Sequence, residues 1–507
     1  MALKYLSLFF LIISIQLQAQ TPAAVSQNLK KASANSIQLE MAVKHFKKAG
    51  NPMKLQALYY LIEHMDDQIS ANYFWTNKLG KKIPFNELAY KDEAAAQTAL
   101  DKLKKSNPDM RAVSYVSSDL ETMKASELID NIDKAFEAWQ RSPYKAISFE
   151  DFCAHILPYR VSVEPFQPWR SFYQQKYKWV ADTLKSRGLL STLLILKADQ
   201  RSIFESTWGK ERRMDPLPRL GAMQLLFRKK GMCEDGVAFS MLSLRSQGIP
   251  CAQNIVPYWA TSTGGHFFTT VYDTKMKPIT YDQFNDRTPL KGQLVREPGK
   301  VLRLTFASQG GTLASLEKKD AIPDGVLRMK NYVDVTSEFW PVADISGKVY
   351  SRDSDARIVY SSVFNGMNWR PIWWSKVVNG AYKFTKMAKG AVYLPSIYEK
   401  GRMRGAGPPV AMGYNNTKQL VANKSKMISI IMAEQEGYLR FKPGMYYTLY
   451  YWDQQWIPAD KQAVKPMAKQ MQFNSVPSDA LYIMIPDRPI GKERPFIITP
   501  KGERIWF

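Results

Sequence analysis

Apolar residues recur at helical spacing through the first third of the chain. Leu39, Val43 and Phe46 share one face, as do Leu58, Leu61, Ile62 and Met65, and Asn51-Pro52 marks the turn between them. A further helix is predicted over 126–139, opening on Ser126 and carrying Leu128, Ile129, Ile132, Ala135 and Phe136 along one stripe. Residues 20–149 are therefore expected to form an α-helical N-terminal region. From 150 to 332 the pattern mixes both periods, as an α+β segment does. Residues 237–244 read as an amphipathic helix stopped by Gly248-Ile249-Pro250, followed by strands over 253–259, 267–272 and 279–282. A hairpin turn at 273–278 joins the last two.

From 333 onward short alternations are punctuated by glycine and proline, which predicts antiparallel β-sandwiches. An aromatic pattern occurs twice there. Tyr360, Trp369 and Pro371 match Tyr447, Trp456 and Pro458, Phe384 and Tyr393 match Phe473 and Tyr482, and the stretch 405–408 matches 491–495. This predicts two tandem sandwich domains, 333–425 and 426–507. Core packing is the favoured role for their tryptophans and tyrosines, with stacking on sugar rings the alternative.

The chemistry concentrates on Cys233, in Gly231-Met232-Cys233-Glu234-Asp235-Gly236 at the start of the predicted helix. There the helix dipole and unpaired N–H groups favour a thiolate. Of the four histidines, His266 heads a strand that follows this helix, and the hairpin brings Asp282 to the same end of the ribbon. A helix-borne thiol, a strand-borne imidazole and a strand-borne carboxylate are what nucleophilic acyl transfer requires: nucleophile, base, and a group holding the base's tautomer. Asp273 and Asp286 are the substitutes if Asp282 points away. Gln224 and Trp208 are candidate oxyanion donors beside the Cys233 N–H. His155 is the alternative active-site histidine, whereas His45 and His64 lie on helices and read as structural or surface groups.

The run 231–282, with Gly-x-Cys-x-Asp, Leu-Arg-Ser-x-Gly-Ile-Pro and a later His then Asp, resembles the transglutaminase-like core. That superfamily has a papain-like catalytic arrangement and includes protein cross-linkers, cysteine proteases and peptide N-glycanases. The resemblance implies Cys233 as nucleophile, His266 as base and Asp282 as orienting acid. The chain departs just after the histidine, where many relatives place tryptophan or asparagine and this one has Phe267 and Phe268. The segments 42–46, 55–65 and 147–170 are similar to parts of secreted transglutaminase-like proteins from Bacteroidetes-type bacteria. The expected fold is thus multidomain: the helical N-terminal region, an α+β transglutaminase/papain-like core and the two sandwiches.

Compartment and charge narrow the partners. Residues 1–19 read as a secretory signal peptide: Lys4, an apolar run over 5–15, and Leu17-Gln18-Ala19 before the cleavage point. The apolar run is too short for an ordinary membrane span, so a secreted or periplasmic protein is expected. A chain of 507 residues implies roughly three or four domains. The net charge of +24 suits anionic partners such as acidic glycans or peptides, with nucleic acid disfavoured by secretion. The lysines and arginines come at most in pairs, which suits a diffusely basic surface. Three cysteines leave at least one unpaired; a Cys153–Cys251 bridge would leave Cys233 free, and two separately buried thiols would do the same. No metal-ligand spacing or cofactor motif is present.

Tyr159-Arg160, Glu164 and Trp169-Arg170 form a dense polar and aromatic stretch, readable as a cleft wall offering an arginine to substrate or as an internal Arg–Glu pair. The leading functional expectation is a secreted cysteine-nucleophile enzyme acting on an amide of a peptide, protein or glycopeptide, with hydrolysis favoured over cross-linking. Its rival is a non-catalytic scaffold that binds protein or glycan through the sandwiches.

Overall fold

The structure is a computed structural model that describes residues 21–207, 215–283, 294–435, 439–499 and 501–507. It is a multidomain α+β protein, helical at the N-terminus and rich in antiparallel sheet towards the C-terminus. The predicted signal segment lies outside the described residues.

The N-terminal helices form where the apolar spacing predicts. Pro52 occupies the first turn of Pro52–Glu63, and the Asn51 side chain caps that helix by accepting from the Lys54 N–H at 3.0 Å. Leu39, Val43, Phe46, Leu58, Leu61 and Ile62 are all buried. Ala125–Arg141 buries Leu128, Ile132, Ala135, Phe136 and Trp139. The region is not purely helical. Ile69–Thr76 forms a three-stranded antiparallel sheet with Lys82–Ile83 and Arg111–Ser118. Its strands carry no clean apolar–polar alternation, so the period-2 signal is missing.

The middle of the chain builds a five-stranded antiparallel sheet. Its order is Tyr332–Asp334, Leu302–Leu304, Cys251–Val256, His266–Tyr272, Pro278–Tyr281. The helix Cys233–Ser246, hereafter the thiol helix, packs on this sheet. It is buried on every side from Glu234 to Ser246, not on one stripe as its sequence suggests. Its serines are satisfied internally: Ser240 donates to Gln200 Oε1 at 2.8 Å and Ser243 to the Phe239 carbonyl at 2.7 Å. Gly248 ends it at φ 72°, and a Cβ there would sit 2.5 Å from the Ala138 carbonyl oxygen.

The C-terminal repeat is visible strand by strand. In the first copy Val342–Lys348 pairs with Ala381–Ala388, and this pair shares one hydrophobic core with a sheet built on Ile358–Asn365, Asn368–Lys376 and Ala391–Glu399. In the second, Asn423–Ala433 pairs with Gln470–Ser478 over Tyr446–Asp453, Gln455–Ala463 and Tyr482–Pro486. Phe384 pairs with Ile345 as Phe473 pairs with Ile430. A β-bulge follows Ser361 in one hairpin and Leu449 in the other. Trp369 and Trp456 meet each other, rings 6.5 Å apart and nearly parallel. One correspondence shifts. Ser362 pairs with Leu394 and Tyr450 with Ile483, so Val359, not Tyr360, stands where Tyr447 does. Val359 and Tyr447 both face the shared core, whereas Tyr360 packs outward.

All three cysteines are free, Cys153 and Cys251 buried and Cys233 half-buried. The bridging alternative is thus corrected in favour of separate thiols; Cys251 Sγ donates to the Met241 carbonyl instead. No helix among the described residues is long and apolar enough to cross a membrane.

Candidate functional site

Backbone economy fixes the thiol's position. Asp235 caps the thiol helix with one carboxylate oxygen, accepting from the Met232 N–H at 2.9 Å, and holds the Leu220 N–H at 3.0 Å with the other. A Cβ on Gly231 would lie 2.6 Å from the Asp235 Cβ, so the Gly-x-Cys-x-Asp spacing is a steric requirement of this cap. Cys233 is the first residue of the helix.

The environment of the thiol reverses the expectation drawn from helix position. Cys233 Sγ hydrogen-bonds the carboxylate of its neighbour Glu234 at 3.3 Å. Burial first, then the Glu234 charge and that hydrogen bond, push the thiol up to about 12, against which Arg219 acts only in part. Glu234 is itself buried and bridged to Arg219 at 3.2 Å, and the Arg219 guanidinium lies over the Phe267 ring at 5.4 Å. The resting thiol is neutral.

His266 and Asp282 come together as the hairpin predicts. Tyr281 pairs with Thr269, so one further step sets Asp282 opposite Phe268, on the sheet face that His266 shares. His266 Nε2 and Asp282 Oδ2 are 2.7 Å apart, the carboxylate buried and the imidazole partly exposed. Trp259 and Phe268 flank the imidazole with rings 5.9 and 6.0 Å away and nearly parallel. The bond to Asp282 leaves Nδ1 as the nitrogen free to accept a proton.

Phe267, Val271 and Tyr281 pack with the thiol helix, whereas Phe268 belongs to the cluster on the other face. His266, first in its strand, therefore starts from the face turned away from that helix, at the sheet's rim. Among the described residues no hydrogen bond joins Cys233 to His266; the thiol is linked to that strand through Glu234, Arg219 and Phe267.

Other candidates resolve differently. Gln224 is consumed: its Oε1 accepts from the Gly221 N–H at 2.8 Å, and its Nε2 donates to Glu87, which together with Asp215 holds Arg228. It is a structural amide, not an oxyanion donor. Trp208 and Asp286 lie outside the described residues. Asp273 is a turn residue, accepting from the Lys275 and Lys277 N–H groups at 2.8 and 2.9 Å. The His155 ring lies 4.4 Å from that of Tyr272, tilted by 38°, beside the far end of the thiol helix, and burial, then Arg245 and Arg303, lower it to about 3. His45 is exposed on its helix, and His64, half-buried, caps the C-terminus of Pro52–Glu63.

Both readings of the arginine-rich stretch need amending. Arg160 binds Asp119 with two parallel hydrogen bonds of 2.8 and 2.7 Å, while Glu164 accepts from the Val161 and Ser162 N–H groups. Arg170 is spent on Asn131 and the carbonyls of Ile156, Leu157 and Pro158.

Sequence reasoning missed Glu234 and Arg219. The first was legible, since an acidic neighbour raises a thiol whatever the helix dipole does. Among the described residues no cluster of three or more histidine, cysteine or acidic side chains could hold a metal.

No protein-family model matches this chain, and no curated protein matches it. Among solved structures it is similar to red sea bream transglutaminase, at 10% identity and a TM-score of 0.19, covering 84% of this chain and 76% of that one. A correspondence of that size says nothing about fold or activity, which leaves the side chains to speak for themselves.

Proposed function

We propose that this chain is a transglutaminase-like cysteine enzyme that cleaves an amide bond of a peptide, protein or glycopeptide. What carries the reading is the His266–Asp282 pair, bonded at 2.7 Å with Nδ1 left over, at the rim of the sheet on which a helix-start thiol sits. Cys233 Sγ attacks the amide carbonyl carbon as its proton passes to His266 Nδ1, and Asp282 steadies the resulting imidazolium. The C–N bond then breaks and the amine leaves with that proton. Water, deprotonated by the same imidazole, hydrolyses the thioester and restores the thiol. Because the resting thiol is neutral and bonded to Glu234, substrate must first displace that carboxylate and bring thiol and imidazole together. Export by residues 1–19 belongs to this proposal, as does an exterior peptide or glycan partner.

Cys233→Ala is expected to abolish amide turnover with the melting temperature nearly unchanged, and His266→Ala to do likewise. Asp282→Asn should retain part of the activity, since it disturbs only the orientation of the base. The assay is a library of peptides carrying Gln, Asn and glycosylated Asn. No wild-type turnover across it, with marked destabilisation by Cys233→Ala, would overturn the reading.

One observation favours the second reading, a scaffold without turnover: the thiol is bonded to Glu234, not to His266. Iodoacetamide separates the two. A scaffold leaves Cys233 unreactive near pH 8 with and without substrate peptides, whereas the enzyme shows Cys233 alkylation that substrate changes and that Glu234→Gln accelerates.

A further inference from the structure

Away from Cys233, the other end of the thiol helix closes a cavity of about 340 Å³. Arg245 lies twelve residues beyond Cys233, roughly 18 Å along the helix axis. Met241 and Arg245 form one wall, Gln253 and Leu304 on the sheet another, and residues 67–69, 158, 160–163 and 328–331 complete the rim. The cavity is outside the thiol site.

Its charge is lopsided. Arg160, Arg245, Lys319, Arg328 and Lys330 line it against a single carboxylate, Asp67. Three of these cations have acidic partners: Arg160 has Asp119, Arg328 has Asp324 and Lys330 has Asp67. Arg245 is buried, and its hydrogen bonds go to the backbone carbonyls of His155, Arg160 and Cys251. A guanidinium has five N–H donors, so two remain unspent. The Cys251 thiol and the Glu164 carboxylate also act on this buried guanidinium, but among the described residues no ion pair joins it to a carboxylate, and an anion in the cavity completes the arrangement.

A second feature points the same way. Gln253 is 2% exposed, and its side-chain oxygen has no hydrogen-bond partner. A buried amide oxygen without a partner costs about 1–3 kcal/mol unless something in the cavity meets it. Ile69, Met241, Leu304 and Phe306 supply apolar walls between these polar groups.

We infer that this cavity is a binding site for a small organic carboxylate that also carries an amide: Arg245 takes the carboxylate, Gln253 meets the amide, and Lys319 attracts the anion at the rim. An N-acylated amino acid has this chemistry.

N-acetylglycine, N-acetylglycinamide and inorganic phosphate, each titrated into the full-length chain by calorimetry, form the test. N-acetylglycine is expected to bind and its neutral amide not to. Gln253→Leu should weaken N-acetylglycine binding about tenfold by removing the amide contact. Lys319→Glu, at an exposed position where folding is not at stake, should weaken it and steepen its salt dependence. Equal binding of acid and neutral amide, full binding by both variants, binding of phosphate in preference to carboxylate, or no binding at all would each overturn the assignment. Cys233→Ser should bind N-acetylglycine as wild type does, so the result stands apart from that of the amide-cleavage assay.

Discussion

The two C-terminal copies share strand order, bulge position and core aromatics, yet they serve the molecule differently. In the first, Asn365 ends a strand and turns its whole amide onto the loop beside the candidate site. Its Nδ2 reaches the carbonyls of Trp259, Ser262 and Gly264 at 2.7–2.9 Å, and its Oδ1 accepts from the Gly264 N–H at 3.0 Å. That loop carries Trp259, which flanks His266. The matching position in the second copy is Asp453, which ends the equivalent strand and bridges the exposed Lys424 at 2.6 Å. The second copy instead reaches the central region through Arg494, whose Nη2 donates to the Ala260 carbonyl at 2.7 Å. The two frames share one strand order, and one polar side chain makes the first a support for the histidine.

The sharpest way to break this contrast is to truncate the two matching residues. Asn365→Ala leaves several buried backbone groups of the 259–264 loop unpaired and is expected to cost about 2–4 kcal/mol. Asp453→Ala removes an exposed ion pair and should leave the denaturation midpoint unchanged. Urea unfolding of both variants decides it; equal midpoints would mean that the first copy is no more tied to the site than the second.

This division of labour could not be read from the chain, because Asn365 meets its partners about a hundred residues away and no local pattern marks it. Local structure was far more legible. The end of the thiol helix at Gly248, the strand beginning at His266 and the approach of Asp282 all follow from periodicity and hairpin geometry. Register was less so. The hairpin of the first copy turns through Gly366 and Met367, both at positive φ, while that of the second turns through Gln454 alone. One missing residue shifts the alignment of the preceding strand, so matching Tyr360 to Tyr447 by residue type was one position out. Burial was harder still: a helix enclosed on all sides and carrying serines reads as amphipathic until Gln200 is seen to meet Ser240.

A second, pH-dependent difference follows from the seam of the first copy. Lys300, fully buried, donates to Asp334 and to the carbonyls of Thr385 and Lys386 on that copy's strand Ala381–Ala388. Burial, opposed by Asp334, brings its ammonium down to about 8. An unfolded lysine titrates near 10.4, so between about pH 8 and 10.4 the unfolded chain holds the proton that the folded one has released. Lys300 therefore contributes stability that is present above that window and lost as pH falls through about 8. Stability of wild type relative to Lys300→Met should rise from pH 8 to 10. A pH-independent difference would place the Lys300 titration outside the window and remove this distinction between the copies.

The smallest effect tests sameness. Tyr393 and Tyr482 are both fully buried in their copies, and each hydroxyl donates to the carbonyl five residues earlier, Ala388 at 2.6 Å and Pro477 at 2.7 Å. Removing either hydroxyl leaves the ring packed and one carbonyl short of a donor, and at Tyr482 it also ends a long 3.4 Å contact from the Ala480 N–H, so Tyr393→Phe and Tyr482→Phe should each cost about 1 kcal/mol. The two sites lie in separate hydrophobic cores, so the double variant should cost the sum to within about 0.5 kcal/mol. A much larger loss at Tyr393 would mean that the first copy's core is strained by its attachment to the 259–264 loop. The added support would then come from the whole frame, and not from Asn365 alone.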